Sequence, residues 1–446
     1  METNGSQVQD IFRLSQGKLI KSGCEIQAQR IYEQSVHSAI HELSRASKDF
    51  SQDGILQRLA RDKPAISALE SVGLHTCIEE FEGEIDKTRN LAKEKLNKSV
   101  ELMRNSLHLT KQLNTLISST DIPRLSYSKV SRPNMTPNLV VAKDGSGNFK
   151  TISDALNAVP NYSSKRFVIY VKKGVYNEKV KVELYKWNVM MFGDGIHQTV
   201  VSGDASTSDR IKTSMTGTFS VYGKGFIARD MTFRNTAGAS KDQAVALYSE
   251  SDQSVFYRCS IEGYQDSLNP QSMRQFFREC FIYGTVDFIF GLSATVIQSS
   301  NIFVRKPLLG QENVITTHSK FIPGENTGIS IQNCTIQAAE DLTGVRTYLG
   351  RPLTNFGIAA YLENKINNLI DPQGWLPFVN NKPPPETVIY VEYNNRGPGA
   401  MTSRRVHWKG LEVNPSRVEA SRYTVRSLIN GERWLPAIGI PFILDL

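Results

Sequence analysis

The pattern of hydrophobic and polar positions divides the chain into two parts. From residue 1 to about 120, apolar residues recur at three- and four-residue spacing among many Lys, Glu, Gln and Leu, as in amphipathic helices. Three or four such helices would form an all-α antiparallel bundle. Between 121 and 138 the periodicity is lost and three prolines occur, which indicates a linker.

Beyond 139 the chain consists of short runs rich in Val, Ile, Phe and Tyr. Examples are FVIYV from 167 and FSVYG from 219, and polar turns separate them. No long helical pattern alternates with these runs, which argues against a βαβ fold. A β-sandwich and a β-solenoid both contain many short strands, so the choice between them depends on whether the runs repeat.

A repeat is visible in the three-residue pieces CSI, CFI, SNI and CTI, which end at Ile261, Ile282, Ile302 and Ile336. A looser copy, MTF, ends at Phe233. The steps are 261 − 233 = 28, 282 − 261 = 21, 302 − 282 = 20 and 336 − 302 = 34. A period near 20 to 22 with insertions is typical of a solenoid and is not required of a sandwich. We therefore predict an all-β parallel β-helix for 139–446.

Two pairs of residues are separated by one such period, 21 positions, and should therefore stack on adjacent coils. Asp266 and Asp287 would occupy equivalent positions on adjacent coils, with backbones about 5 Å apart. Cys259 and Cys280 have the same spacing, which places their Cα atoms within the disulfide range of about 4.4–6.8 Å. We predict a disulfide between these two cysteines, beside the two aspartates.

Two neighbouring carboxylates cannot both ionise cheaply, so the pKa of one is raised. Asp266 and Asp287 could therefore supply an acid together with a base or a nucleophile, although solvated turn residues or backbone caps would fit the same spacing. The amides of Gln243 and Gln265 could stabilise an oxyanion. Arg351, in LGRPL, could keep one aspartate ionised. This set suits acyl transfer on an ester, and the chain has no GxSxG motif.

Composition narrows the function classes. The chain has 446 residues, 40% hydrophobic and 22% charged, with a net charge of +8 and a pI near 9.1. A basic surface attracts polyanions. The chain has no stripe of interleaved basic and aromatic residues, however, so nucleic acid is not predicted as its partner. The chain has no run of 18 apolar residues that would predict a membrane span, and its N-terminus lacks the apolar core of a signal peptide. No CxxC pair or His cluster predicts a metal site.

Five motifs occur in the order and spacing of a known family: GVYNE at 174–178, QAVAL at 243–247, YQDSL at 264–268, DFIFG at 287–291 and LGRPL at 349–353. On these motifs residues 139–446 resemble a plant pectin methylesterase (pectinesterase). The resemblance implies a right-handed parallel β-helix that hydrolyses galacturonate methyl esters in pectin without a metal or other cofactor. It further implies secretion to the cell wall, methyl-esterified homogalacturonan as the substrate partner, and a proteinaceous pectinesterase inhibitor as a possible partner.

The resemblance also implies roles for the five polar residues. Asp287 would be the nucleophile, and Asp266 the general acid that then activates water. Gln243 and Gln265 would stabilise the oxyanion of the tetrahedral intermediate. Arg351 would position Asp287, and Gln243 and Arg351 would also contact the substrate.

Further residues are candidates for substrate contact. Trp375, in PQGWLPF, matches a tryptophan of the family's cleft, whereas Leu353 stands where the family usually has a tryptophan. Tyr264 is assigned to the cleft wall. Phe288 and Phe290 suit either the wall or the interior of a coil, and Phe288 is counted among the substrate-contacting candidates.

The N-terminal part, 1–120, resembles the inhibitor-like pro-region of the family, mainly around Cys77 in HTCIEEFEG. Pairing of Cys24 with Cys77 stays open, as does cleavage, because no dibasic site is present in the linker. Three alternatives to an esterase remain at this stage. They are a weakly active or inactive pectin-binding homologue, a glycosidase that uses the same paired carboxylates, and an inhibitor whose active part is the helical half.

Overall fold

The computed structural model of the chain describes residues 136–378 and 382–446. The predicted helical bundle at 1–120, nearly all of the linker, and the cysteines Cys24 and Cys77 lie outside these residues. The division of the chain into domains therefore stays a prediction.

Three parallel sheets make up the described part of the chain. Sheet A has eleven strands: β1 Leu139–Val141, β2 Phe167–Val171, β5 Val189–Gly193, β8 Ile227–Arg229, β11 Ser254–Tyr257, β14 Arg274–Arg278, β17 Ala294–Gln298, β20 Gly328–Gln332, β23 Ile358–Leu362, β25 Ile389–Tyr393 and β26 Leu411–Val413. Sheet B has eight strands: β3 Gly174–Asn177, β6 Thr199–Gly203, β9 Thr232–Asn235, β12 Ser260–Glu262, β15 Phe281–Gly284, β18 Asn301–Val304, β21 Thr335–Ala338 and β24 Lys365–Ile366. Sheet C has seven strands: β4 Val180–Val182, β7 Phe219–Val221, β10 Leu247–Ser249, β13 Leu268–Pro270, β16 Ile289–Gly291, β19 Asn313–His318 and β22 Thr347–Gly350.

From β2 to β24 the chain visits the three sheets in the order A, B, C, and each strand pairs with the equivalent strand of the next turn. This arrangement is a parallel β-helix, as the repeat predicted. The register confirms the repeat residue by residue, since Phe233, Ile261, Ile282, Ile302 and Ile336 form one continuous ladder. These five side chains are fully buried in the interior, so the hydrophobic positions of the repeat are the core of the coils.

The helices are short. They are α1 Ile152–Asn157, α2 Arg417–Ala420 and α3 Val425–Ile429, with 3₁₀ turns at Thr207–Asp209, Thr213–Met215, Ala239–Lys241, Pro398–Ala400, Ser421–Tyr423, Gly431–Arg433 and Pro436–Ile438. Helix α1 packs against β1 and β4 of the first coils, and α3 packs against β17 of sheet A. Thr151 caps α1, and Ser416 forms a capping box with Glu419 at α2.

The C-terminal segment covers the outer face of sheet A. Val425 and Leu428 of α3, together with Trp434 and Ile440, form a second hydrophobic cluster with outward-facing residues of sheet A such as Phe276. Burial of this apolar surface stabilises both the central coils and the segment that covers them. Among the described residues, no helix is long and apolar enough to cross a membrane.

The predicted disulfide between Cys259 and Cys280 is wrong. Both thiols are free and fully buried, and so is that of Cys334, with 2% exposure. The strand pairing does place Cys259 one coil from Cys280, because their successors Ser260 and Phe281 are partners in the sheet. In stacked parallel strands, however, equivalent Cα–Cβ bonds run side by side at the strand spacing of about 4.8 Å. A disulfide needs a Cβ separation near 3.8 Å.

Backbone carbonyls provide acceptors for these thiols instead. The Cys280 Sγ donates to Phe256 O at 3.3 Å, and the Cys334 Sγ donates to Gln332 O at 3.3 Å. Burial raises the pKa of the Cys280 thiol to about 12, so it stays protonated. The cysteines of the repeat are therefore small core residues that form part of an interior ladder.

Candidate active site

The two aspartates are brought together by the strand register. Leu268 pairs with Ile289, so Asp266 and Asp287, each two residues earlier, lie at equivalent positions on adjacent coils. The Asp266 N–H donates to Val286 O at 3.0 Å across this step. Both aspartates lie in the segment that links sheet B to sheet C, and both are almost fully buried, with exposures of 7% and 8%. The predicted juxtaposition is confirmed.

Both aspartates have left-handed backbone conformations, with φ of 64° at Asp266 and 48° at Asp287. Such a conformation costs on the order of 1 kcal/mol or more for a residue other than glycine. It turns the chain just before β13 and β16, the strands of sheet C that follow the two aspartates.

Two neighbours bond to the side chain of Asp287. The Arg351 Nε donates to Asp287 Oδ1 at 2.9 Å, and the Arg351 Nη2 donates to Oδ2. The Thr317 hydroxyl donates to Oδ1 at 2.6 Å. Arg351 directly follows β22 and Thr317 lies in β19, on successive coils beyond Asp287. A bidentate guanidinium fixes both the charge and the orientation of the carboxylate.

Asp266 has a different environment, although it has the same side chain. Burial and the neighbouring Asp287 carboxylate raise the pKa of Asp266 well above its usual range, and Arg351 offsets part of this effect. Within the described residues Asp266 has no cationic partner of its own, since Arg351 is committed to Asp287. The two carboxyls therefore have different environments: the pKa of Asp266 is raised by burial and by Asp287, whereas Asp287 is paired with Arg351.

The raised pKa of Asp266 predicts a pH dependence of stability. The stability contributed by the protonated group is fully present below its unfolded pKa, near 3.8, and is lost as the pH rises through the higher folded pKa. Asp266→Asn, which cannot ionise, should therefore unfold at a higher temperature than the wild type at neutral and alkaline pH. One unit of pKa shift is worth about 1.4 kcal/mol, which corresponds to a Tm gap of at least about 2 °C.

This prediction is checked by melting both proteins at intervals from pH 3 to pH 9. We expect the two curves to converge at acid pH and to separate as the pH rises. A constant difference at every pH would contradict the assignment of a proton to Asp266.

The two glutamines lie on adjacent coils beside the aspartates. The Ala244 N–H donates to Gln265 O at 3.2 Å, and the register of β10 with β13 places Gln243 opposite Tyr264. The Thr207 hydroxyl donates to Gln243 Oε1 at 2.6 Å. Because this bond occupies the amide oxygen, the Gln243 NH₂ group is left as the donor available to a ligand. Both glutamines are half-buried, so their side chains have access to solvent.

Of the histidines that the structure describes, none bonds to either aspartate. The nearest along the chain is His318, next to Thr317, and it is 2% exposed. Its Nδ1 accepts from the Ile358 N–H at 3.0 Å, and burial lowers its pKa to about 3, so the ring is neutral. Among the described residues, no group of His, Cys, Asp and Glu could hold a metal ion.

With this geometry described, comparison with known proteins identifies the family. The sequence profile of the pectinesterase family matches residues 138–432. The chain belongs to the pectinesterase family. It is 50% identical to a putative pectinesterase/pectinesterase inhibitor of Arabidopsis thaliana over 327 residues, which cover 73% of this chain and 56% of that relative. It is 49% identical to pectinesterase 3 of Phaseolus vulgaris, with 69% of this chain and 53% of the relative covered. The chain thus spans about half the length of these curated relatives.

Solved structures agree on the architecture. Pectin methylesterase from carrot is 46% identical, with a TM-score of 0.69, and the match covers 71% of this chain and 100% of that one. Pectin methylesterase from Aspergillus niger is 28% identical with a TM-score of 0.59, covering 71% and 99%. The all-β fold of parallel sheets predicted from the repeat is the fold of these proteins.

Several of the family motifs have structural explanations. The Glu178 carboxylate of GVYNE accepts from the Ile152 and Ser153 N–H groups, both at 3.0 Å, at the start of α1. Gly291 of DFIFG is required because a Cβ there would lie 2.2 Å from the Pro270 carbonyl oxygen. These residues shape the coils around the site and would not react.

The site also contains two threonines that sequence reasoning missed. Thr317 bonds Asp287 and Thr207 bonds Gln243. The register could have indicated Thr317, since Phe290 pairs with it across β16 and β19. The eight-residue connection from β18 to β19, 305–312, lengthens that coil and hides the match. Thr207 lies in a 3₁₀ turn outside the repeat, so no periodic signal points to it.

The prediction that Trp375 contacts substrate is wrong. Trp375 is 0% exposed and belongs to the main core. Its ring stacks on Tyr390, with centroids 4.1 Å apart, and its Nε1 donates to Glu392 Oε1 at 3.0 Å. The Arg405 Nε donates to the same Glu392 oxygen at 2.9 Å. Trp375 is thus a core residue, and its backbone forms an isolated β-bridge with Gly350.

This correction predicts which property Trp375→Phe will change. Losing ring volume and the donor to Glu392 should lower the free energy of unfolding by about 2 to 4 kcal/mol. The KM for substrate should stay the same, because the ring does not reach the surface. Urea unfolding and steady-state kinetics on one preparation would check both. An increase in KM without loss of stability would restore the cleft assignment.

The other substrate-contact candidates divide between surface and core. Phe288 is 0% exposed in the main core, so its assignment to the substrate surface is wrong, and Phe290 is the half-buried ring that reaches the outside. Tyr264 is also half-buried. Leu353 is 44% exposed, two residues after Arg351. Tyr264 and Leu353 are therefore accessible to a ligand beside the aspartates.

Proposed function

We propose that this protein hydrolyses the methyl esters of galacturonate units in pectin, releasing methanol and de-esterified pectin. The observation that carries the proposal is the difference between two adjacent carboxyls: burial and Asp287 raise the pKa of Asp266, and Asp287 is paired with Arg351. Membership of the pectinesterase family supports the reaction. A related pectin methylesterase, 26% identical with a TM-score of 0.55, has been solved with a hexasaccharide, which supports a polymeric sugar as substrate.

In the proposed mechanism the Asp287 carboxylate attacks the carbonyl carbon of the methyl ester. The carbonyl oxygen gains negative charge as the tetrahedral intermediate forms, and the side-chain NH₂ groups of Gln243 and Gln265 donate to it. Thr207 orients the Gln243 amide for this purpose. Arg351 and Thr317 hold Asp287 so that its orientation is set before the substrate arrives.

The carboxyl of Asp266 then donates its proton to the methoxy oxygen, and methanol leaves as the C–O bond breaks. The product is an anhydride between Asp287 and the galacturonate carbonyl. The Asp266 carboxylate next takes a proton from water, and the resulting hydroxide attacks the anhydride carbonyl. Collapse breaks the bond to the Asp287 oxygen, restores the Asp287 carboxylate, and leaves Asp266 protonated for the next cycle; the released galacturonic acid then loses its proton to solvent.

The predicted surroundings of the reaction are the plant cell wall. We propose that the protein is secreted there and acts on methyl-esterified homogalacturonan. The names of several relatives pair pectinesterase with pectinesterase inhibitor, which supports an inhibitor-like role for residues 1–120 or an inhibitor as a partner. The net charge of +8 would favour binding to the anionic, de-esterified polymer at low salt.

An aromatic residue in place of Leu353 should increase the affinity of the protein for pectin. An aromatic ring stacks on the C–H face of a sugar better than an aliphatic side chain does, and Leu353 is exposed beside Arg351. We expect Leu353→Trp to lower the KM for pectin about threefold to tenfold with little change in kcat. Val418→Trp, at a position 77% exposed on α2, is the control for a ring added elsewhere. A KM unchanged by Leu353→Trp would remove this residue from the substrate surface.

The test of the proposed function is methanol release from highly methylated pectin by the full chain. Reducing ends are counted in the same samples, because paired carboxylates also serve glycosidases. Methanol without new reducing ends is the expected result. New reducing ends without methanol would assign the pair to glycoside cleavage. Neither product, from protein that still binds pectin, would indicate an inactive homologue.

A further inference from the structure

The outer face of sheet B bears a group of three aromatic rings, which we call the aromatic platform: Phe281 and Tyr283 on β15 and Phe303 on β18. The Tyr283 and Phe303 rings stack with centroids 4.6 Å apart and an angle of 8°, and Phe281 stacks on Phe303 at 6.0 Å and 12°. All three are half-buried. They alternate along their strands with the fully buried Ile282 and Ile302, so they face outward.

The aromatic platform connects directly with the candidate active site. The Arg305 guanidinium lies over the Tyr283 ring at 5.1 Å and over the Tyr264 ring at 4.9 Å. Its Nη1 donates to Gly263 O at 3.1 Å. Tyr264 directly precedes Gln265, so a continuous row of rings and one guanidinium extends from the aspartate pair around the edge of sheet B.

Charged groups border the aromatic platform. Glu262 is the register partner of Tyr283, and it accepts from Arg234 at 2.6 Å and lies 3.3 Å from His197 Nδ1. Arg305 makes no ion pair with a carboxylate among the described residues. Its remaining N–H groups are thus suited to an incoming carboxylate.

We propose that the aromatic platform, with Arg305, is a second binding surface for partly esterified galacturonan, separate from the cleft where hydrolysis occurs. This inference rests on the proposed function, which supplies the polymer. Esterified units carry no charge and present C–H faces that can cover the stacked rings, and a de-esterified unit supplies the carboxylate for Arg305. Binding outside the cleft holds the polymer near the aspartate pair and raises its effective concentration there.

The stacking alone would also fit a purely structural role, so the test needs a matched control. Sheet A bears such a control in Tyr170 and Phe192, which are half-buried and stack at 4.9 Å and 11°. Their strands, β2 and β5, belong to coils that come well before the coils of Asp266 and Asp287 in the stack. Threonine is the replacement in both places because a β-branched residue suits a strand.

The experiment compares the full chain with Tyr283→Thr/Phe303→Thr and with Tyr170→Thr/Phe192→Thr. Methanol release is measured on long pectin and on a methyl-esterified hexagalacturonate. We expect the platform variant to raise the KM for long pectin about fivefold while its kinetics on the hexamer match the wild type. The control variant should change neither. An unchanged KM on long pectin, or an equal increase on the hexamer, would overturn the proposal.

A binding measurement separates failure of this inference from failure of the proposed function. Retardation of each protein in gels containing partly methylated pectin reports binding without turnover. If the wild type releases no methanol, the proposed function fails, and loss of retardation only in the platform variant would still support the second surface. Should the double variant unfold, Phe281→Thr takes its place in both assays, with weaker retardation expected and wild-type retardation overturning the proposal.

Discussion

Asp287→Asn is expected to lower methanol release from pectin by at least about a thousandfold while the protein stays folded. The amide has the shape of the carboxylate and can still accept from Thr317, but it is not a nucleophile. It also leaves the Arg351 guanidinium without its anion. Because the Arg351 side chain is 22% exposed, water can replace part of that interaction. The loss should therefore appear in kcat, and the Tm should fall only modestly.

The chain offers a matched control for this substitution. Asp252 is also paired in a bidentate manner, with Arg274 Nε at 2.9 Å and Nη2 at 2.7 Å, but at the start of a strand of sheet A. Asp252→Asn breaks a more deeply buried pair, so it should destabilise the protein more and leave turnover by the folded fraction unchanged. Activity of Asp287→Asn within about tenfold of the wild type would rule out Asp287 as the nucleophile.

Asp266→Asn should give the second large effect, a loss of about a hundredfold to ten-thousandfold in kcat on methyl esters. The amide can hydrogen-bond to the methoxy oxygen but cannot give up a proton, so methanol must leave as a strongly basic anion. Burial and Asp287 raise the pKa of Asp266, so the wild type should lose activity on the alkaline side as this proton is lost. This loss of activity at alkaline pH should be absent from the pH profile of Asp266→Asn.

The leaving group distinguishes a proton donor from a residue that only shapes the cleft. Trifluoroethanol is far more acidic than methanol and needs little protonation to depart. In the first turnover on trifluoroethyl-esterified polygalacturonate, before the anhydride is hydrolysed, the Asp266→Asn variant should therefore release the alcohol at a rate close to that of the wild type. An equal first-turnover deficit on the methyl and trifluoroethyl esters would contradict the role of Asp266 as general acid.

The sequence predicted the coils well, because one physical pattern specifies them. In a parallel β-helix every interior residue packs on its equivalent in the next coil, so the ladder through Ile261, Ile282 and Ile302 appears in the sequence as a period. The same logic placed Asp266 beside Asp287. Contacts within a coil or between insertions have no such period, which is why Thr207 and Thr317 were missed.

The errors came from going beyond what the period can specify. Equal spacing placed Cys259 beside Cys280 but could not show that their Cβ atoms stay too far apart for a disulfide. Trp375 was assigned to the surface because it matches a tryptophan of the family's cleft, and Phe288 because it is next to Asp287, yet each is fully buried. Side-chain chemistry alone does not distinguish the inner from the outer face of a coil when interior positions also accept aromatic rings.

The C-terminal segment has a consequence for how the protein matures. The Ile443 N–H donates to Gln298 Oε1 at 2.7 Å, and Gln332 Nε2 donates to Asp445 O at 3.0 Å, so this segment binds strands made more than a hundred residues earlier. The coils can stack one by one as they are synthesised, but the outer face of sheet A stays apolar and uncovered until this segment has been made. A chain cut before α3 would keep Asp266 and Asp287 and would expose this apolar face to aggregation and to binding by chaperones.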